Sequence, residues 1–219
     1  MKTDDELEQD VREELLYDAR VDDPADIAIS VEFGAITLRG TVTTYFQKRA
    51  TETAVKRVAG VIDVDNRIDV RLMTEHQRED AEIRGAALQS LMSDAQIPAD
   101  RLDVRVKDGG LTLTGDVDWL YQSDAAYDDV AGLIGVVDVT NALAIRSDQS
   151  RRADLADSIQ RALVRNAQTD AENISISTHD GRVVVAGWVS SFAERDAALA
   201  AAWSAPGVLS VDDRLEVVR

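Results

Sequence analysis

Residues Asp108-Gly109-Gly110-Leu111-Thr112-Leu113-Thr114-Gly115-Asp116-Val117 decide how this chain is read. Asp-Gly punctuates a tight hairpin turn, because both residues tolerate positive φ. Leu111 and Leu113 then alternate with polar residues, the period of a strand with one buried face. The phrase returns upstream as Ile36-Thr37-Leu38-Arg39-Gly40-Thr41-Val42 and downstream as Val183-Val184-Val185-Ala186-Gly187-Trp188-Val189. The offsets are 75 and 72 residues, and they also relate Gly60 to Gly135 to Gly207 and Val70 to Ile145 to Val217. Three anchors that hold register over the whole chain define three tandem copies of one unit.

Working outward from that phrase gives helix, strand, strand, helix, strand. Leu7, Val11 and Leu15 mark one face of a first helix over Asp4–Asp18. Ile83, Ala87 and Leu91 do so in copy two, and Leu155, Ile159 and Leu163 in copy three. Thr3 with Glu6 forms a capping box, and Thr74-Glu75-His76-Gln77 is read as the same start in copy two. First strands alternate at Ile27-Ile29-Val31, Leu102-Val104-Val106 and Ile174-Ile176-Thr178. Phe33-Gly34, Asp108-Gly109 and Asp180-Gly181 turn each chain into its second strand. Gly40, Gly115 and Gly187 fall on the inward face, where they are expected to let a helix pack close over the sheet. Second helices start near Thr44, Trp119 and Ser191 and are expected to end at Gly60, Gly135 and Gly207. The third strands carry Ile62-Val64-Ile68-Val70, Val137-Val139-Leu143-Ile145 and Leu209-Val211-Leu215-Val217.

The predicted fold class is α+β: three tandem αββαβ units, each a small three-stranded mixed sheet with two helices on one face. The repeats are expected at 1–73, 74–148 and 149–219, joined by short polar linkers at Arg71–Glu75 and Arg146–Ser150. Units of this size sit near the lower limit for an independent core, so they are expected to lean on one another.

This pattern resembles the BON domain, named for bacterial OsmY and nodulation proteins. The carrying residues are Gly34, Gly40, Val42, Ala50, Gly60-Val61, Val64 and Asn66 in copy one. In copy two they are Gly109, Gly115, Val117, Ala125, Gly135-Val136, Val139 and Asn141. In copy three they are Gly181, Gly187, Val189, Ala197, Gly207-Val208, Val211 and Asp213, the last departing from Asn. The resemblance implies osmotic and general stress, envelopes and secretins, potassium sensing in one subclass, and phospholipid binding. It supplies no catalytic motif. OsmY itself is exported, whereas this chain shows no basic n-region or apolar h-region, which gives a cytoplasmic expectation, or a periplasmic one only if a signal peptide was removed.

Chemistry is conspicuous by what is missing. The 219 residues contain no Cys and two His, so thiol nucleophiles, thiolate metal sites and disulfides are excluded and zinc is disfavoured. A net charge of -17 argues against nucleic acid. No stretch is apolar and long enough to span a bilayer. Acidic pairs such as Asp63 with Asp65 and Asp128 with Asp129 lie on turns, strand exteriors and helix surfaces, not in a pocket that could split their pKa values. No phosphate-cradling loop, calcium loop or HExxH occurs. No enzyme, metal site or cofactor is expected.

The copies differ in charge. Residues 1–74, 75–148 and 149–219 carry -6, -9 and -2. Copy three is nearly neutral and more apolar outside. Val184, Ala186 and Trp188 replace Thr37, Arg39 and Thr41 on the sheet face opposite the helices. Leu199 and Trp203 are i, i+4 neighbours on the second helix, Trp203 standing where copy one has Lys56. Val184, Trp188, Leu199 and Trp203 are therefore the candidate interface. A neighbouring repeat and another subunit stand side by side as its occupant, with a lipid surface third. The leading function is a non-catalytic, stress-associated protein that assembles into homo-oligomers. The alternative is a module that binds phospholipid surfaces or a monovalent cation such as potassium.

Overall fold

The computed structural model describes residues 2–146, 155–166 and 169–218. Helix α1 spans Asp4–Tyr17, β1 Ile27–Glu32, β2 Ala35–Val42, α2 Tyr45–Lys56 and β3 Asp63–Val70. The second repeat follows as α3 Asp80–Ser93, β4 Leu102–Lys107, β5 Gly110–Val117, α4 Leu120–Ala131 and β6 Asp138–Ile145. The third has α5 Leu155–Arg165, β7 Ile174–His179, β8 Arg182–Val189, α6 Phe192–Trp203 and β9 Ser210–Val217. The expected second linker lies outside the described residues beyond Arg146, and so does the expected boundary at 148/149.

Each repeat owns one three-stranded sheet with its second strand in the centre. That strand is antiparallel to the first and parallel to the third, as Leu38 shows by pairing with Ile29 on one side and Asn66 on the other. The hairpin turns have two consecutive positive-φ residues: Phe33 and Gly34 at 50° and 85°, Asp108 and Gly109 at 52° and 75°, Asp180 and Gly181 at 49° and 81°. This is the I′ pattern, whose twist matches that of the strands it joins. Helices cover one sheet face. In repeat one, Leu7, Val11 and Leu15 of α1 and Ala54 and Val55 of α2 bury against Ile36, Leu38 and Ile68. Corresponding sets form the other two cores.

Carboxylates brace two of the turns from outside the strands. Asp4 accepts from the N–H groups of Phe33 at 2.8 Å and Gly34 at 3.2 Å. Asp80 accepts from Asp108 and Gly109, both at 2.9 Å. Each tie fixes the start of the first helix to the tip of the hairpin.

Three local expectations need correction. The second repeat's first helix starts at Asp80, because Thr74–His76 forms a separate 3-10 turn and Glu82 accepts instead from the Glu79 N–H at 3.0 Å. The second helices end at Lys56, Ala131 and Trp203, each followed by a turn whose later glycine (Gly60, Gly135, Gly207) has φ near 100°. Gly40, Gly115 and Gly187 do not make room for a helix. A Cβ there would run into the carbonyl oxygen of Asp26, Arg101 or Asn173, the last residue of a 3-10 turn that enters the first strand. With φ of 141°, 123° and 133°, these glycines let the central strand pass that carbonyl in a conformation side chains rarely adopt.

Repeat one carries a further clamp. Asp18 ends α1 with its carboxylate 6% exposed, bonded to Arg20 at 2.6 Å and to Arg57, beyond the end of α2, at 2.8 Å. Arg20 first and Arg57 second hold this carboxyl well below the usual carboxylate range, against the opposing effect of burial.

Gly115→Ala should cost on the order of 3 kcal/mol or more, from combined strain and backbone overlap. Gly85→Ala, in the exposed interior of α3 with open space at its Cβ, should stabilise by about 1 kcal/mol. Denaturant unfolding reads both signs. A folded pKa below the unfolded one means Asp18 stabilises the protein above roughly pH 4 and ceases to as pH falls through the folded value. Asp18→Asn should therefore lose on the order of 2 kcal/mol at pH 7, and its gap from wild type should narrow below about pH 4.

Candidate functional site: the junctions between repeats

The second helices do more than close their own cores. Thr44 and Ser191 cap α2 and α6 by accepting from the N–H of Gln47 at 3.1 Å and Glu194 at 3.2 Å. At the matching position of α4, Gln122 accepts from the N–H groups of Asp118 at 2.9 Å and Trp119 at 3.1 Å. Gln47 and Glu194 reach back further, to Thr43 and Ser190 at 2.9 and 2.8 Å. The same three side chains tie the helix start to the loop ahead of the first strand, at Asp22, Gln96 and Asp170. Burial alone would raise the Glu194 carboxyl. The N–H groups of Ser190 and Asp170 and the Ser190 hydroxyl outweigh it and bring it down.

The residue just after each cap is Tyr45, Leu120 or Phe192. Each meets another repeat, at equivalent places. Tyr45 joins the core of repeat two beside Ala131, and its hydroxyl lies 2.8 Å from that of Tyr127. Burial first, and the bond to Tyr127 second, push the Tyr45 phenol up, so it stays neutral. Arg49, one turn on, lies 4.4 Å over the Tyr127 ring and pairs with Asp128 at 2.9 Å. Leu120, with Trp119 and Tyr121, lines a cleft shared with Trp203 of α6. Phe192 is 5% exposed and packs into the core of repeat one, with Lys56 of α2 lying 5.8 Å from its ring. The repeat offsets map Tyr45/Ala131 onto Leu120/Trp203 and onto Phe192/Lys56. The contacts therefore run in a cycle: one to two, two to three, three back to one.

Against this frame the four candidate interface residues separate. Trp203 faces repeat two across the cleft, and Leu199 lies partly buried in the third core. Val184 and Trp188 lie on β8 with their backs to the helices, and Trp188 is 49% exposed. The residues that reasoning from sequence passed over are Tyr45, Phe192, Arg49 and Tyr127. A signal existed, because positions 45, 120 and 192 are all large and apolar at the start of an otherwise amphipathic helix.

The third-strand polar position is answered from the same helices. Asn66 donates to the Lys48 carbonyl at 3.2 Å, and Asn141 donates to the Ser123 hydroxyl at 2.9 Å. In copy three the carboxylate of Asp213 replaces the amide and pairs with Arg195, which stands where Lys48 and Ser123 stand, at 2.8 Å. The departure from Asn is thus matched by a charge on the facing helix.

Among the described residues, no group of three His, Asp or Glu is arranged to hold a metal ion, and no helix is long and apolar enough to cross a membrane. His76 lies in the 3-10 turn between repeats one and two, and its Nδ1 is buried without a hydrogen-bond partner. His179 is exposed at the end of β7.

The BON domain model matches residues 3–71, 79–147 and 151–219. The chain belongs to the BON domain family and carries three tandem copies, a family that is generally non-catalytic. No curated protein matches it. Among solved structures, CdsD, a structural protein of the type III secretion system of Chlamydia trachomatis, aligns at 15% identity and TM-score 0.26, covering 97% of this chain and 92% of that one. The C-terminal domain of CdsD aligns at 14% identity and TM-score 0.26, with both chains covered in full. At that score the likeness bears on neither function nor assembly.

Phe192→Ala should remove a buried aromatic that belongs to one repeat and packs in another. The expected loss is about 3–5 kcal/mol. Because the third repeat loses its anchor on the first, thermal unfolding followed by circular dichroism should broaden or split into two transitions.

Proposed function

We propose that this chain is a non-catalytic, stress-associated interaction protein that associates with further copies of itself through the outer sheet face of its third repeat. One observation carries the reading: Trp188 is 49% exposed beside Val184 on a face that its own helices do not cover. Monomeric surfaces rarely leave a Trp in such a setting without a partner, and aromatic residues dominate the energetics of interfaces. The second helices are engaged in the junctions between repeats, whereas the outer face of β8 is covered by no element of its own repeat. Electrostatics favour the third sheet among the three. Its repeat carries -2, against -6 and -9 for the others, so two copies meet there with the least repulsion.

Light scattering after size exclusion tests this directly. The wild-type mass should exceed the 23.9 kDa of one chain, and Trp188→Ala should bring it down to that value with circular dichroism unchanged. A wild-type monomer at high protein concentration overturns the reading, as does an unchanged oligomer in the variant.

A further inference from the structure

The three junctions are equivalent in position but not in charge. At the first, the Arg49 guanidinium lies 4.4 Å over the Tyr127 ring. At the third, the Lys56 ammonium lies 5.8 Å from the Phe192 ring. Each of these junctions supplies both an aromatic ring and its own cation. At the second, the residue equivalent to Arg49 is Asp124 and the residue equivalent to Lys56 is Trp203. Both cations are gone. One is replaced by a carboxylate and the other by a second aromatic.

What remains there is a cleft of about 320 Å³ lined by Trp119, Leu120, Tyr121, Asp124, Trp203 and Ser204. Two of the chain's three Trp residues line it. No cationic residue does so among the described residues. We propose that this cleft between α4 and α6 binds a small alkylammonium cation, which takes the place of the cation that the other two junctions supply from their own side chains.

The chemistry selects that class. An aromatic face attracts a cation through its quadrupole, most strongly for Trp, and the attraction grows as water is excluded. A methylated ammonium spreads its charge over apolar methyl groups, so it pays little desolvation on meeting Leu120 and the indoles. A bare alkali ion needs a full shell of oxygen ligands at short range, whereas this lining sets two indoles and Leu120 beside the few oxygens of Tyr121, Asp124 and Ser204. Asp124 supplies the countercharge. Asp124 is exposed to solvent, yet partial desolvation of its carboxyl first, and the neighbouring charge of Asp128 second, hold it above the usual range, so a bound cation is favoured beside it. The equivalent cleft at the first junction, about 230 Å³, has Tyr45 and Phe46 but no carboxylate in its lining, so it does not share this preference.

Choline chloride is the probe, read by tryptophan fluorescence in a Trp188→Phe background so that Trp119 and Trp203 alone report. Sodium chloride at matched ionic strength and 3,3-dimethylbutan-1-ol, the uncharged isostere of choline, are the controls. Choline should give a saturable change, with the isostere about tenfold weaker. Asp124→Asn, at an exposed position where folding is readily checked by circular dichroism, should weaken choline by at least about fivefold and leave the isostere unaffected. The proposal is overturned if choline gives no saturable change beyond the sodium control. Equal binding of choline and the isostere, or full choline affinity in Asp124→Asn, overturns it as well.

Discussion

The burial of Phe192 in a core that belongs to a different repeat is the contact on which the arrangement turns. A unit of this size buries too little apolar surface to be secure alone. Its two helices cover one sheet face, but the start of the second helix projects past the end of its own core. That residue is Tyr45, Leu120 or Phe192, and each finds cover on the second helix of another repeat. A head-to-tail contact of this kind either propagates without limit or closes on itself. Here the third contact returns to the first repeat, so the geometry closes within one chain.

Much of the local fold was legible because its signals are short-range. Alternation at Ile27, Ile29 and Val31 and the Asp-Gly turns specify hairpins through φ and side-chain period, both properties of adjacent residues. The Leu7, Val11 and Leu15 stripe and the Thr3–Glu6 box specify α1 for the same reason. The misreadings share a different cause. The role of Gly115 depends on the carbonyl of Arg101, a backbone atom that no side chain announces. The helix start at Asp80 depends on reaching the turn N–H groups of Asp108 and Gly109 across the unit, and a capping pattern at Thr74 cannot report that reach. The strand order, on which the sequence offers no reading, rests on the pairing of β2 with β3, whose residues lie far apart in sequence.

The junctions were half legible. Trp203 stood out as a Trp on a helix face where copy one has Lys, which signals burial without naming the partner. Its place across from Leu120 follows only from the packing of α4 against α6. Grouping Trp203 with Trp188 was natural from composition, yet one lies on a helix and the other on the far face of the sheet that helix covers. Proximity in sequence and similarity in chemistry do not put two residues on one surface when a sheet stands between them.

Repetition raises a problem of order that these differences answer. Three identical junctions would let any repeat pair with any other, including repeats of a second chain. The three contacts instead pair Tyr45 with Ala131, Leu120 with Trp203 and Phe192 with Lys56. Exchanging partners would set Tyr45 against Trp203, two large rings in place of a large and a small one, or Phe192 against Ala131, which forfeits the cation over the ring. It would also set Arg49 apart from Asp128. Each mismatch costs the correct packing or leaves a charge without its partner, and specificity needs such penalties as much as it needs favourable contacts. The second junction is the one in which the cation has been given up for a carboxylate and a second indole. Trp203 covers Leu120 and so closes the cycle at this junction without a cation of its own. The exchange also changes what the junction can attract from solution.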